Sequence, residues 1–315
     1  MSRVEASTPG KIILFGEHAV VYHRPAIAVP IADVRASAVL QPSQTDDFRI
    51  VAPDLSRDYL LLAQGKADDP LATIVQLTLV HLGQTHPPRA TLTVSSTIPL
   101  GRGLGSGAAI SAAIVRALAD FLGQSLSPAE VSTLVYEVEK IYHGTPSGID
   151  NTVIAFEQPV FFIKGRPIQR MQLGQPFTLV VGDTGVVAPT HQVVGDLRQR
   201  WQADRERYEG YFDEIGSIAR QARMAIEQEL VDITAIGKLM DQNQELLETI
   251  GVSSPELERL IVAARHAGAL GAKLSGAGWG GNMIALVPPQ SETAANVARA
   301  LVEAGATATI VTEVR

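Results

Sequence analysis

Cysteine is missing altogether from this 315-residue chain, so neither a disulfide framework nor a thiolate zinc site is open to it. A reducing cytoplasm fits that composition. There is no basic excess either: 26 Lys and Arg stand against 33 Asp and Glu, a net charge of −7, and no Lys/Arg-rich run occurs. This argues against a dedicated nucleic-acid surface but not against ATP, because phosphate sites use local donors rather than global charge. Apolar runs such as residues 108–115 fall well short of the roughly 20 residues that a membrane span needs. The opening Met-Ser-Arg-Val-Glu lacks a positive segment leading into an apolar one, which argues against a signal peptide. The expectation is a cytoplasmic protein with no membrane and no nucleic-acid partner. No Walker G-x-x-x-x-G-K-[ST] occurs, and His23, His81, His86, His191 and His266 are scattered without zinc-motif spacing.

Hydrophobic residues at 46% and charged residues at 19% describe an ordinary globular protein, and the length favours two domains. Short β-branched or apolar segments at 12–15, 26–30, 36–40, 48–51 and 90–94 make the first hundred residues read mainly as strands. Residues 108–122 switch to a helical pattern that is apolar nearly all round, with Gly123 as a stop. Ser127-Pro128-Ala129-Glu130 has the form of a capping box opening a second helix, with Val131, Leu134, Val135, Val138, Ile141 and Tyr142 as its core stripe and Gly144 as its end. Strands are expected again at 160–163 and 178–182. Charged helices follow over 196–229, 233–249 and 255–267, with Ser254 before Pro255 as a helix start. Strands at 272–274 and 283–287, a helix over 292–304 and a strand at 307–312 complete the chain. The pattern is α+β in two domains that meet near residues 165–175.

Four alternate glycines, Gly101, Gly103, Gly105 and Gly107, lead straight into the alanine-rich helix. Such a loop can turn backbone N–H groups inward, and the helix N-terminus adds positive potential, which together make a phosphate cradle. Three readings fit the loop by itself: a tight turn, a dinucleotide fold through Gly103, Gly105 and Ala108, or a triphosphate loop. The dinucleotide reading requires a following strand, whereas here another helix follows. A second cluster, Gly276-Ala277-Gly278-Trp279-Gly280-Gly281, matches G-x-G-x-x-G but leads into an apolar strand. No helix N-terminus is available there, so it reads as a strand–loop–strand element approaching a ligand, or as a plain hairpin.

Charged residues stand beside these loops. Lys11 heads an apolar strand, where an unpaired lysine is costly, and Glu17 and His18 follow Gly16 at its far end. Glu139 flanks the stripe of its helix, and Asp150-Asn151 follow a Pro/Gly turn. Phosphoryl transfer needs carboxylates for two tasks, holding Mg²⁺ and orienting or deprotonating the nucleophile. Each residue also has a plainer reading: a polar turn, a solvated helix face, or an Asx turn. His143, four residues after Glu139, reads as structural.

Taken together, the segments resemble the three signature motifs of the GHMP small-molecule kinases, most of all the branch acting on mevalonate. The first runs from Pro9-Gly10-Lys11 to Gly16-Glu17-His18-Ala19-Val20-Val21, the second spans residues 99–109, and the third is Lys273-Leu274-Ser275 with the following glycine cluster. Residues 143–151 resemble the segment that carries the catalytic aspartate. Leu239-Met240-Asp241-Gln242-Asn243 and Gly251-Val252-Ser253 resemble the C-terminal helices of that branch.

The resemblance implies a two-domain GHMP kinase fold: a domain like ribosomal protein S5 domain 2 over 1–170, then an α+β ferredoxin-like domain over 171–315. It implies ATP-dependent, Mg²⁺-assisted phosphorylation of the C5 hydroxyl of (R)-mevalonate in isoprenoid biosynthesis. Asp150 would be the catalytic base and Lys11 would orient it. Pro99, Gly101, Arg102, Gly103, Leu104, Gly105, Ser106, Gly107, Ala108 and Ala109 would wrap the ATP phosphates. Glu139 and Ser106 would hold Mg²⁺. Glu17, His18, Asp150, Thr190, Gly276, Ala277 and Gly278 would bind the acceptor.

Three departures stand out. Gly107 replaces a second serine that commonly helps bind Mg²⁺. His191 follows Thr190 where Lys or Arg is usual, and Trp279 replaces a glycine, where it is expected to narrow the space beside substrate or nucleotide. The alternatives are a GHMP kinase for another small alcohol or for phosphomevalonate, and a non-catalytic nucleotide-binding relative. The helices over 196–250 are able to pack within one chain or across a homodimer.

Overall fold

Alternation of small and β-branched residues carries the first strands further than their apolar cores alone. The computed structural model describes residues 2–61, 69–99, 101–143, 146–187, 189–289 and 291–315. In chain order, β1 is Val4–Phe15 and β2 is a single strand, Ala26–Pro42, where two short ones were expected. Then come β3 (Phe48–Ala52) and β4 (Arg57–Leu60). Helix α1, Pro70–His81, replaces expected strand character: Asp69 caps it by accepting from the Leu71 N–H at 3.1 Å, and Pro70 sits in its first turn. β5 is Ala90–Ser96.

Helix α2, Ser106–Phe121, buries Ala108, Ala109, Ala112, Ala113, Ala117 and Ala119, small side chains that let neighbouring backbone come close. Helix α3, Pro128–His143, opens on the anticipated capping box, with the Ser127 N–H donating to Glu130 at 2.8 Å and its hydroxyl at 2.6 Å. Gly144, the expected stop, lies outside the described residues. Helix α4, Ile149–Phe156, takes up Asp150 and Asn151, for which an Asx turn is the plainer expectation.

The remaining elements are β6 (Val160–Phe162), β7 (Gln169–Arg170), β8 (Phe177–Asp183), α5 (Thr190–Ala203), α6 (Arg205–Ile226), α7 (Ile233–Thr249), α8 (Pro255–His266), β9 (Gly271–Ser275), β10 (Asn282–Val287), α9 (Ser291–Glu303) and β11 (Ala308–Val314). The single helix expected over 196–229 is two. Asp204 breaks it and caps α6 by accepting from the Arg207 N–H at 3.4 Å.

The chain divides into two compact units that interleave in sequence. The first comprises Met1–Gly10, Val34–Leu100 and Gly105–Glu157. Its strands run in the order β4-β3-β5-β2, with β3 and β5 parallel and the other pairs antiparallel. Helices α1 to α4 pack on one another, and α2 lies against β5. Thr8 anchors α2 by donating its hydroxyl to Ala109 O at 2.6 Å.

The second unit comprises Lys11–Asp33, Gly101–Leu104 and Gln158–Arg315. Its four-stranded sheet is antiparallel throughout, in the order β11-β8-β10-β9, while residues 26–28 of β2 pair with β6. Val180, Leu274, Met283 and Ala285 from the sheet meet Phe212, Leu247, Ile261, Val297 and Leu301 from the helices in one apolar core. At roughly 25 cal/mol per Å² of apolar surface removed from water, this burial is the main force holding the unit together.

Candidate functional site

The first unit contains a helix N-terminus and two of the carboxylates named from the sequence. Gly105 occupies the left-handed region at φ 76° and caps α2, so the loop turns into the helix at Ser106. N–H groups in the first turn of a helix have no intrahelical acceptor and point at whatever anion lies there. A Cβ on Gly107 would stand 3.7 Å from Glu139 Oε1, which puts the Glu139 carboxylate against this turn although Glu139 is almost fully buried. Asp150 lies in the first turn of α4, after Gly148 at φ 92°. Helix α4 is locked to α3 by Asn151, whose amide donates to Ser132 Oγ at 2.8 Å and to Ser132 O at 3.1 Å.

The second unit, taken by itself, contains Lys11, Arg102 and the second glycine loop. Lys11 is buried on β1, and its N–H donates to Leu104 O at 2.9 Å, tying the strand to residues 101–104. In that segment Arg102 faces Asp183 at 3.5 Å and also accepts at its backbone carbonyl from the Asn282 amide. Asp183 Oδ1 in turn accepts from the Gly185 N–H at 2.8 Å.

Beyond β1 the chain turns at Gly16, where a Cβ would come within 2.5 Å of Ala26 Cα and Pro25 O, so no side chain is tolerated. Glu17 follows, wholly excluded from solvent, and pairs with the equally buried Lys273 of β9. Burial pushes the Glu17 carboxyl up, opposed by the ammonium, and pushes Lys273 down, opposed by the carboxylate. The Glu17 side chain thus faces Lys273 inside the unit rather than an open surface. Asn243 Oδ1 accepts from the Gly16 N–H at 3.4 Å, and Gln244 Oε1 accepts from the Leu274 N–H at 2.9 Å.

His18 holds φ 62°, and its Nε2 meets Ala277 O at 2.8 Å. Burial lowers its pKa from 6.5 to about 4, so the ring is neutral at neutral pH. A carbonyl partner on Nε2 assigns the proton to that nitrogen and leaves Nδ1 as an acceptor.

The loop over 276–281 joins β9 to β10, the strand–loop–strand form expected of it. Trp279 donates its N–H to Val252 O at 2.9 Å and its indole Nε1–H to Gly251 O at 3.0 Å, so the ring turns to the α7–α8 connection. On the other side Gly281 donates to Val186 O at 2.9 Å, and the Thr184 N–H and hydroxyl both reach Gly281 O at 2.9 Å. Thr190 and His191 begin α5 and are exposed.

Three participants carried no assigned role in the sequence reading: Lys273 as partner of Glu17, Asp183 as partner of Arg102, and Asn243 beneath Gly16. A lysine inside the apolar run Ala272-Lys273-Leu274 was a usable signal, by the same argument that singled out Lys11.

Residues 71–158 match the GHMP kinases N terminal domain, and residues 226–307 match the GHMP kinases C terminal domain. Mevalonate kinase of Thermococcus sibiricus is 37% identical over 308 residues, covering 93% of this chain and 92% of that protein. Mevalonate kinase of Pyrococcus horikoshii is 36% identical over 302 residues, covering 90% and 89%. Among solved structures, L. major mevalonate kinase in complex with R-mevalonate superposes with a TM-score of 0.86 at 28% identity, covering 100% of this chain and 97% of that one.

Proposed function

The chain belongs to the GHMP kinase family, and from that premise we propose that it transfers the terminal phosphoryl group of ATP to the C5 hydroxyl of (R)-mevalonate. The single observation that carries this reading is the 37% identity to a mevalonate kinase across 93% of the chain. Each family match falls inside one of the two expected domains, 1–170 and 171–315. Among the described residues no helix is long and apolar enough to cross a membrane, and a cytoplasmic location fits.

In the proposed mechanism Asp150 accepts the proton of the C5 hydroxyl as the oxygen attacks the γ-phosphorus. A new C5–O–P bond forms, the bond from the γ-phosphorus to the bridging oxygen breaks, and ADP leaves. Lys11 orients Asp150 and stabilises charge developing on the alkoxide. An alcohol is a weak nucleophile, so position and electrostatics must supply the rate. Pro99 and residues 101–109 wrap the triphosphate, with the N–H groups at the start of α2 facing its oxygens.

In this reading Glu139 and Ser106 would hold Mg²⁺. The donor set suits that ion, which keeps several waters and takes one or two carboxylates plus phosphate oxygens rather than an all-protein cage. The 3.7 Å from a Cβ built on Gly107 to Glu139 Oε1 supports this reading, since it sets a hard oxygen donor beside the start of α2. When bound, the metal would neutralise charge on the β- and γ-phosphates. On the acceptor side, Gly276, Ala277, Gly278, Thr190, His18 and Asp150 meet mevalonate, while Glu17, buried and paired with Lys273, lies next to His18 in the chain.

The test is an ADP-release assay with mevalonate, phosphomevalonate, homoserine and sugars as acceptors, with Asp150→Asn as control. Turnover with mevalonate above the other acceptors, lost in Asp150→Asn, is expected. A protein that binds ATP but turns over none of them overturns the enzyme reading, and preference for another acceptor overturns the substrate.

A further inference from the structure

Five of the six residues over 276–281 have positive φ: Gly276 at 106°, Gly278 at 86°, Trp279 at 54°, Gly280 at 133° and Gly281 at 73°. Four are glycines, for which this conformation is free of Cβ strain. Trp279 is the exception. A bulky side chain in the left-handed region costs about 1–2 kcal/mol, and it persists only where its surroundings over-determine it.

Those surroundings are specific. Both N–H donors of Trp279 are committed to consecutive carbonyls, its backbone to Val252 and its indole to Gly251. Gly251 is itself in the left-handed region at φ 73°, and its neighbour Ile250 O is held by the Arg200 guanidinium at 2.5 Å. The indole also packs against the apolar core. Gly278 lets the loop lie this close, since a Cβ there would stand 1.9 Å from Val252 O. Two residues before Trp279, Ala277 O receives His18 Nε2 at 2.8 Å, while a Cβ on Gly276 would meet nothing within 4 Å. The loop is thus fastened at Trp279 and joined to His18 at Ala277, with open space beside Gly276.

We propose that Trp279 is a positioning residue for the phosphoryl acceptor, holding the 276–281 loop in its ligand-ready shape before mevalonate arrives. The inference rests on the reading that Gly276, Ala277 and Gly278 meet mevalonate. A fastened loop has little conformational freedom left to lose on binding, whereas a released one must be ordered by the substrate. That difference falls on acceptor affinity and not on the chemical step.

The experiment compares W279G and W279F with wild type, measuring kcat, KM for mevalonate and KM for ATP. W279G removes the strain, the ring and the indole bond together. W279F keeps an aromatic ring and loses the bond to Gly251 O together with the smaller part of the indole's packing. Expected is a rise in KM for mevalonate of about tenfold in W279G and about threefold in W279F, with kcat and KM for ATP within about twofold of wild type. W279F serves by itself if W279G does not fold. Unchanged KM for mevalonate in the folded variants overturns the proposal, as does a loss confined to kcat or shared equally by both substrates. A wild-type protein inactive on mevalonate overturns the functional reading instead, so the two failures are distinguishable.

Discussion

Glu17 and Lys273, 256 residues apart in sequence, form an ion pair in which neither side chain touches solvent. One Glu17 oxygen bonds the ammonium and the other has no hydrogen-bond partner among the described residues, so Lys273 carries the compensation for a fully buried charge. The pair joins the turn that bears His18 to the strand that leads into the second glycine loop. Removing one partner of such a pair is far more damaging than replacing both.

Lys273→Met is therefore expected to lower unfolding stability by about 3–5 kcal/mol, because it strands the Glu17 carboxylate. Adding Glu17→Gln removes that charge, and the double variant should regain more than half of the loss. Chemical denaturation of the four proteins in the cycle measures it. A double variant no more stable than Lys273→Met alone counts against the charge argument.

The neutral, buried His18 makes a prediction about acid. Its pKa is lowered from 6.5 to about 4, chiefly by burial. Between those values the unfolded chain binds a proton that the folded chain refuses, so this contribution is complete above pH 6.5 and declines as pH falls toward 4. The full swing is about 3 kcal/mol, of which about 2 kcal/mol is gone by pH 5. Denaturation midpoints at pH 7 and pH 5 should separate less in His18→Gln than in wild type. Neighbouring carboxylates act in both proteins, so the difference isolates the imidazole. Equal acid sensitivity of the two proteins would contradict the assignment.

Gly107 and Glu139 give a prediction about the metal. A Cβ at position 107 would make an ordinary contact, 3.7 Å, with Glu139 Oε1, so a side chain fits. Gly107→Ser adds a hydroxyl beside the carboxylate and should lower the Mg²⁺ concentration for half-maximal velocity by about threefold, whereas Glu139→Gln should raise it. Velocities across a magnesium titration at saturating ATP decide. A Glu139→Gln enzyme with unaltered magnesium dependence would remove Glu139 from the metal.

Local signals made much of the fold legible. The Ser127–Glu130 capping box, the Ser254 cap before Pro255 and the glycine run into α2 each announced a helix by chemistry within four residues. Helix α1 was missed because its burial is so general that it shows little apolar periodicity, and Thr73, Ile74, Val75, Thr78 and Val80 favour strands by local preference. Helix α4 is a short element rich in Thr152, Val153 and Ile154, and a Pro/Gly turn preceded it.

The motif residues of the site were legible by type and order. What they touch was not. No local rule brings Lys273 to Glu17 or Asp183 to Arg102, since these partners meet only through the sheet and its connections. Trp279 shows the same limit: its identity pointed to a crowded ligand site, while its bond to Gly251 O, 28 residues away in sequence, had no local signal.

The clamp at Trp279 also has an optical consequence. The chain contains two tryptophans, and the other, Trp201, sits on α5 under the Arg205 guanidinium. Replacing Trp201 by phenylalanine would leave one emitting indole, in the loop assigned to the acceptor and bonded to a backbone carbonyl. The protein would then report the state of that loop in the wavelength of its own ultraviolet emission, with no added dye.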